Sequence, residues 1–193
     1  MAFNSPSKRA VFLDRDGVLN RNVFYPDTGA WETPRLPHEF HLANGVIPAL
    51  ASLHSAGFLL FLVSNQPNAA KGKSPADALE AMHTLLTAEL QAAGLAFAGV
   101  FYCTHHPEFT GPCPCRKPSP YFLLGAAQKH GLALEKCWMI GDRPTDMECG
   151  RTAGVHTAWI CTRQERKVPP AALIDVASFN LPEAVRQILA RTK

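Results

Sequence analysis

The sequence predicts an α/β fold built on a doubly wound, mostly parallel sheet, and three observations support it. Short apolar segments alternate with amphipathic ones through most of the chain, which is the rhythm of βαβ units with right-handed crossovers. Polar groups follow directly on several of those apolar segments, where open α/β sheets bind ligands. The first segment, Val11-Phe12-Leu13, is apolar at successive positions, as expected of a central strand covered on both faces.

That first strand runs into Asp14-Arg15-Asp16-Gly17. In an extended chain residues i and i+2 share a side, so Asp14 and Asp16 can address one substrate atom, one as nucleophile and the other as proton carrier. Gly17 permits a sharp exit. Asp-x-Asp-Gly also occurs in turns, helix caps and calcium loops. The pattern speaks against an EF-hand, because no third ligand precedes Gly17 and no Glu stands at the loop's twelfth position.

Residues 20–44 then form a long loop carrying Phe24, Tyr25, Trp31 and Phe40. Loops beyond about a dozen residues are usually functional or disordered, and the aromatics favour function, so a substrate-facing flap is expected. Gly45 to Ala56 predicts a helix with Val46, Leu50 and Leu53 on one face and Gly57 as its left-handed cap. The second strand, Phe58 to Val63, leads into Ser64-Asn65-Gln66. Ser74-Pro75-Ala76-Asp77 predicts a helix start, with Ser74 as N-cap and Pro75 first in the helix, ahead of the stripe Leu79, Met82, Leu86 and Leu90.

Val100 to Tyr102 is the third strand. Ser119-Pro120 begins a helix running through Lys129 to a cap at Gly131, Trp138 to Ile140 is the fourth strand, and Val155 to Ile160 the fifth. Gln164 to Pro170 reads as a polar linker, and Asn180-Leu181-Pro182-Glu183 opens a last amphipathic helix. No internal repeat or low-complexity tract is present.

Between the third strand and the next helix, Cys103-Thr104-His105 and Cys113-Pro114-Cys115 place four soft or borderline ligands within thirteen positions. Three thiolates and an imidazole suit a closed, tetrahedral, structural zinc. His106 is the alternative to His105, which is favoured because its spacing mirrors Cys-x-Cys at the other end. A chance cluster or a disulfide such as Cys103 to Cys113 is the bland alternative. Pro107, Gly111, Pro112 and Pro114 argue against helix or strand here. Cys137, Cys149 and Cys161 lie in predicted strand or helix and read as small buried hydrophobes.

A chain of 193 residues with 47% hydrophobic and 18% charged residues can bury its own core, so one domain over 1–193 is expected. The formal charge of +3 is mild, and the Lys and Arg residues are scattered, which gives no support to a nucleic-acid surface. The N-terminal ten residues hold no apolar signal region and no run reaches membrane-spanning length. A cytoplasmic monomer is the expectation, with cysteines that serve as thiols or metal ligands rather than disulfides.

Asp-x-Asp after the first strand, Ser64 after the second, Lys117 in Cys115-Arg116-Lys117-Pro118, and Gly141-Asp142-Arg143-Pro144-Thr145-Asp146 after the fourth stand in an order that resembles the haloacid dehalogenase superfamily of aspartyl-phosphate phosphatases. The resemblance covers about residues 11–160. It implies a Rossmann-like sheet, and the short interval between Asp16 and Ser64 leaves no room for the separate cap domain many members carry. The zinc loop at 103–115 and a C-terminal linker and helix at 164–193 complete the expected domain.

The resemblance also implies roles. Asp14 is the nucleophile and Asp16 the general acid. Ser64 and Lys117 hold the phosphoryl group, and Asp14, Asp16 (through its carbonyl) and Asp142 bind magnesium. Asp146 supports Lys117 or the metal's waters, and Asn65, Gln66, Arg116 and Arg143 are the candidates to contact the rest of a small sugar phosphate.

A Cys-x-His…Cys-x-Cys loop before the third motif narrows the resemblance to two families, heptose-bisphosphate phosphatases and histidinol-phosphate phosphatases. Cys103-Thr104-His105-His106-Pro107, Gln66 and Lys71-Gly72-Lys73 resemble the first. The Gly141 to Asp146 motif resembles the second. Pro67-Asn68 and Lys71 depart from the usual heptose pattern, which has Ser-Gly and Arg there. A zinc-loop interaction module on a decayed phosphatase fold, or a nucleic-acid 3′-phosphatase, would be a rival function. The intact motif residues speak against the first and the scattered charge against the second.

Overall fold

The computed structural model describes residues 8–161 and 167–192. In chain order the strands are β1 (Arg9–Leu13), β2 (Val23–Tyr25), β3 (Ala30–Glu32), β4 (Phe58–Asn65), β5 (Gly99–Cys103), β6 (Trp138–Gly141), β7 (His156–Ile160) and β8 (Val176–Ser178). The helices are α1 (Val46–Ser55), α2 (Ala78–Ala92), α3 (Pro107–Thr110), α4 (Tyr121–His130), α5 (Pro144–Ala153) and α6 (Leu181–Arg191). Six strands form one sheet in the order β5-β4-β1-β6-β7-β8, with every neighbouring pair parallel.

Alternation along the strands explains the three layers. Val11, Leu13, Leu60, Leu62 and Ile140 pack with residues of α1, α2 and α6 in one core. Their neighbours Ala10, Phe12, Phe61, Val63 and Met139 pack with α4 and α5 in a second core. Because successive side chains leave a strand on opposite faces, a strand covered on both sides is apolar at successive positions, which is how Ala10 to Leu13 of β1 and Phe58 to Val63 of β4 read. The chain leaves β1 for β4 and β5 on one side and later returns to β6, β7 and β8 on the other. The direction of winding therefore reverses beside β1, and a crevice opens there beyond the strand ends.

Several expectations are corrected. Residues 20–44 are not an irregular loop: β2 and β3 pair as an antiparallel hairpin, and Pro37–Glu39 form a 3₁₀ turn. β4 runs two residues further than its apolar stretch, because β5 supplies ladder partners to Ser64 and Asn65. β8 was not foreseen; it is a three-residue edge strand paired to β7, too short for an alternation signal. α2 begins at Ala78 with Asp77, not Ser74, at the N-cap, since a turn from Pro75 O to Ala78 N precedes it. The cysteine-bearing loop holds one helical turn, α3, with Pro107 in its first turn, where a missing N–H costs nothing.

Other elements match their sequence signals. Gly57 and Gly131 adopt φ of +83° and +65° at the ends of α1 and α4, and Asn180 Oδ1 accepts from Glu183 N at 2.9 Å to start α6. Cys137 and Cys149 are fully buried and Cys161 partly so. Of the expected polar linker, 164–166 fall outside the described residues, as does 193 of the C-terminal segment. Among the described residues no helix is long and apolar enough to cross a membrane.

Candidate active site

The site gathers at the carboxyl ends of β1, β4 and β6, which are neighbours in the sheet. Asp14 continues the β1 ladder, its N–H donating to Ile140 O at 2.9 Å. The chain then turns back at Gly17, whose φ is +77° and whose missing Cβ would stand 2.2 Å from Asp142 Oδ2. Only glycine lets the first loop close over that carboxylate. Gly141 has a similar function, since a Cβ there would meet the Asp146 side chain at 2.2 Å. Asp146 lies in the first turn of α5, where its Oδ2 accepts from Arg143 N at 3.0 Å.

Asp14, Asp142 and Asp146 each place a carboxylate oxygen within 4.8 Å of the others, and all three residues are buried. Lys117 Nζ enters this cluster, 3.0 Å from Asp14 Oδ1 and 2.6 Å from Asp146 Oδ1, and donates to Val63 O at 2.9 Å. Burial alone would lower the lysine pKa, but Asp14 and Asp146 outweigh it and raise the value above the ordinary one, so the ammonium is held charged. Such a cluster of buried carboxylate oxygens is the hard donor set that a magnesium ion takes. Residues predicted far apart in sequence are thus brought together.

Asn65 proves to be a clamp on the main chain of Lys117. Its Oδ1 accepts from Lys117 N and its Nδ2 donates to Lys117 O, both at 3.1 Å. Gln66 is buried and turned toward the first loop: Nε2 donates to Asp16 Oδ2 at 2.5 Å and to Ser64 Oγ at 3.0 Å, while Oε1 accepts from Arg15 Nη2 at 2.8 Å. Ser64 is buried at the end of β4.

The sequence reading assigned no role to Arg15, yet its side chain is fully buried against Asp16, with Nε and Nη2 both 3.1 Å from Asp16 Oδ1. Asn20 Nδ2 adds a third donor at 3.0 Å, and Arg15 Nη2 also donates to Thr33 Oγ1 at 3.1 Å. Burial would raise the Asp16 pKa, but Arg15, with hydrogen bonds from Thr33, Gln66 and Asn20, holds it below the usual carboxylate value. The only sequence clue to Arg15 was its place between two aspartates.

A cavity of about 910 Å³ opens onto this floor. Asp14, Asp16, Asn65, Lys117 and Asp146 line its depth, and Trp31, Glu32, Lys71, Lys73, Arg116 and Arg143 its walls. Arg116 Nη1 donates to His105 O at 3.1 Å, and the Arg143 side chain is about half exposed, its Nε 3.9 Å from Asp142 Oδ1.

Beside Arg116, Cys103, His105, Cys113 and Cys115 converge. The three sulfurs are 3.3 to 3.6 Å apart, and His105 Nδ1 lies 3.6 Å from Cys115 Sγ and 3.9 Å from Cys103 Sγ. Sulfurs joined in a disulfide would be about 2 Å apart. Zinc–sulfur bonds of about 2.3 Å in a tetrahedron instead set ligands roughly 3.8 Å apart, so the cluster fits that ion. Burial, then Cys103 and Cys113, push the Cys115 thiol up to about 12; a dication is what would let all three sulfurs ionise together. His106 lies outside the cluster, with Nδ1 accepting from Glu108 N at the start of α3.

This sheet with its carboxylate and lysine cluster places the molecule among haloacid dehalogenase-like hydrolases, and the HAD-hydrolase-like family model matches residues 114–174. D-glycero-beta-D-manno-heptose-1,7-bisphosphate 7-phosphatase of Vibrio cholerae serotype O1 is 35% identical over 156 residues, covering 78% of this chain and 80% of the relative. Its counterpart from Escherichia coli K12 is 33% identical over 191 residues, covering 92% and 94%. A crystal structure of D,D-heptose 1,7-bisphosphate phosphatase from B. bronchiseptica, complexed with magnesium and phosphate, superposes with a TM-score of 0.79 at 26% identity, covering 96% of this chain and 99% of that one. The chain belongs to the heptose-1,7-bisphosphate 7-phosphatase family.

Proposed function

We propose that this chain removes the 7-phosphate of D-glycero-β-D-manno-heptose 1,7-bisphosphate by way of an aspartyl phosphate on Asp14. The observation that carries the reading is the placement of Asp14 at the cavity floor, at the end of the central strand, with Lys117 fixed between it and Asp146. The relatives above are named for the heptose substrate, and this decides against histidinol phosphate, to which only the motif from Gly141 to Asp146 pointed.

A phosphate dianion drawn toward carboxylates meets repulsion of roughly 4 kcal/mol per pair of unit charges at about 4 Å and an effective dielectric of ~20. Lys117 offsets part of it. Magnesium, held by the Asp14 and Asp142 carboxylates and the Asp16 carbonyl, would supply the remaining charge and polarise the phosphoryl oxygens. Asp14 attacks phosphorus in line. Asp16 gives a proton to the leaving sugar oxygen and then takes one from the hydrolytic water. Arg15 favours the ionised form of Asp16, and the approaching dianion opposes it, so Asp16 takes up its proton as substrate binds. Ser64 Oγ and adjacent N–H groups hold the equatorial oxygens, and Arg116 and Arg143 meet the second phosphate.

Zinc in the Cys103, His105, Cys113 and Cys115 cluster organises the loop that ends in Lys117. Residues 1–193 act as one phosphatase domain, as a monomer in the cytoplasm, where a reducing environment suits the thiol cluster.

Phosphate release from heptose 1,7-bisphosphate, histidinol phosphate and an aryl phosphate tests the reading. The bisphosphate should have the highest kcat/KM, and Asp14→Asn should abolish turnover on all three while leaving the zinc content unchanged. A preference for histidinol phosphate, or substantial activity in Asp14→Asn, would defeat it.

A further inference from the structure

The hairpin of β2 and β3 has three residues in each strand, and a two-stranded ribbon of that size is marginal on its own. Here it is pinned. Glu32 accepts from Lys73 Nζ at 2.8 and 2.9 Å and from Arg35 Nη2 at 3.2 Å. Arg35 lies 3.8 Å over the Tyr25 ring, whose hydroxyl donates to Glu39 at 2.5 Å. Thr33, just beyond β3, accepts from the same Arg15 that pairs with Asp16. The ribbon is therefore held in fixed relation to the proton-transfer group.

Its largest apolar side chains are nevertheless left open. Phe24 and Trp31 face each other across the ribbon with ring centroids 5.7 Å apart, yet they are 46% and 48% exposed. Trp31 lines the same cavity as Asp14 and Asp16. The Glu32 charge that would repel a phosphate beside it is neutralised by Lys73 and Arg35. The wall thus presents a rigid aromatic surface among cations, and an indole face attracts the polarised C–H face of a sugar ring.

We propose that Trp31 is a specificity residue, its indole stacking on the substrate's sugar ring while the phosphorylated carbon reaches Asp14. This rests on the sugar-phosphatase reading above and deepens it: the ring, and not only the two phosphates, is recognised. The side chain works by binding and takes no part in bond making.

The test compares wild type, Trp31→Ala and Trp31→Phe on heptose 1,7-bisphosphate and on glycerol 2-phosphate, which has no ring to stack. Trp31→Ala should lose on the order of tenfold in kcat/KM on the heptose, mostly through KM, with the glycerol ester unaffected and Trp31→Phe close to wild type. Equal losses on both substrates, or no loss on the heptose, overturn the proposal. If the alanine variant fails to fold, Trp31→Leu, which keeps bulk without an aromatic face, carries the comparison and should lose on the heptose alone. A wild type that does not prefer the heptose over the glycerol ester brings down the substrate reading and the stacking with it. A wild type that does prefer it, beside a Trp31→Ala that keeps the same preference, brings down the stacking alone.

Discussion

At Asp16 the carboxylate accepts from Arg15, Asn20 and Gln66 within a buried pocket, so its orientation is set by three donors before any substrate arrives. Asp16→Asn keeps the shape and removes the transferable proton. A sugar alkoxide needs that proton to depart and a phenolate does not, so turnover of heptose bisphosphate should fall by about 10² or more while an aryl phosphate suffers far less. Steady-state kinetics on the two esters decide it, and equal losses would remove Asp16 from the acid role. Asp14, Asp16, Asp142 and Lys117 could be picked out from the sequence because each follows a short strand or sits in a tight motif. Arg15 and Thr33 could not, because their significance lies in a contact between residues eighteen apart in sequence.

Among the elements, the cysteine-bearing loop shows how a segment poor in regular structure is shaped. Pro107 starts a single helical turn, and four side chains from its two ends converge. Arg116, between Cys115 and Lys117 in the chain, then ties the loop back to His105 O. Metal removal should separate two events. Mild EDTA should stop turnover quickly, with magnesium restoring it, whereas zinc should stay at about one per chain until harsher chelation loosens the loop. Elemental analysis with activity assays follows both, and native protein without zinc would sink the assignment of the four ligands.

For the molecule as a whole, the sheet is both scaffold and core. Phe61 on β4 is fully buried, stacks with Phe12 at 5.2 Å and Phe101 at 6.3 Å, and meets His130 edge-on at 5.1 Å. It therefore links β1, β4, β5 and α4. Phe61→Ala should cost about 3 to 5 kcal/mol. At roughly 2 to 4 °C per kcal/mol for a chain of this size, Tm should fall by on the order of 10 °C, which calorimetry or thermal circular dichroism would register. A drop below about 3 °C would mean the core refills the space.

The sequence by itself determined the alternation of strands and helices, the order of the polar motifs behind them, and the four candidate ligands of the cysteine loop. These are local properties: the period of apolar residues, the φ of a glycine, and the spacing of ligands along a few residues all act within one element. The tertiary structure decided that residues 20–44 contain a hairpin, that β8 adds an edge strand to the sheet, and that Asn65 clamps Lys117 while Gln66 steadies Asp16. The last two depend on which partner a side chain meets about fifty residues away. The register between parallel strands sets that partner, and it is fixed only when both faces of the sheet have packed.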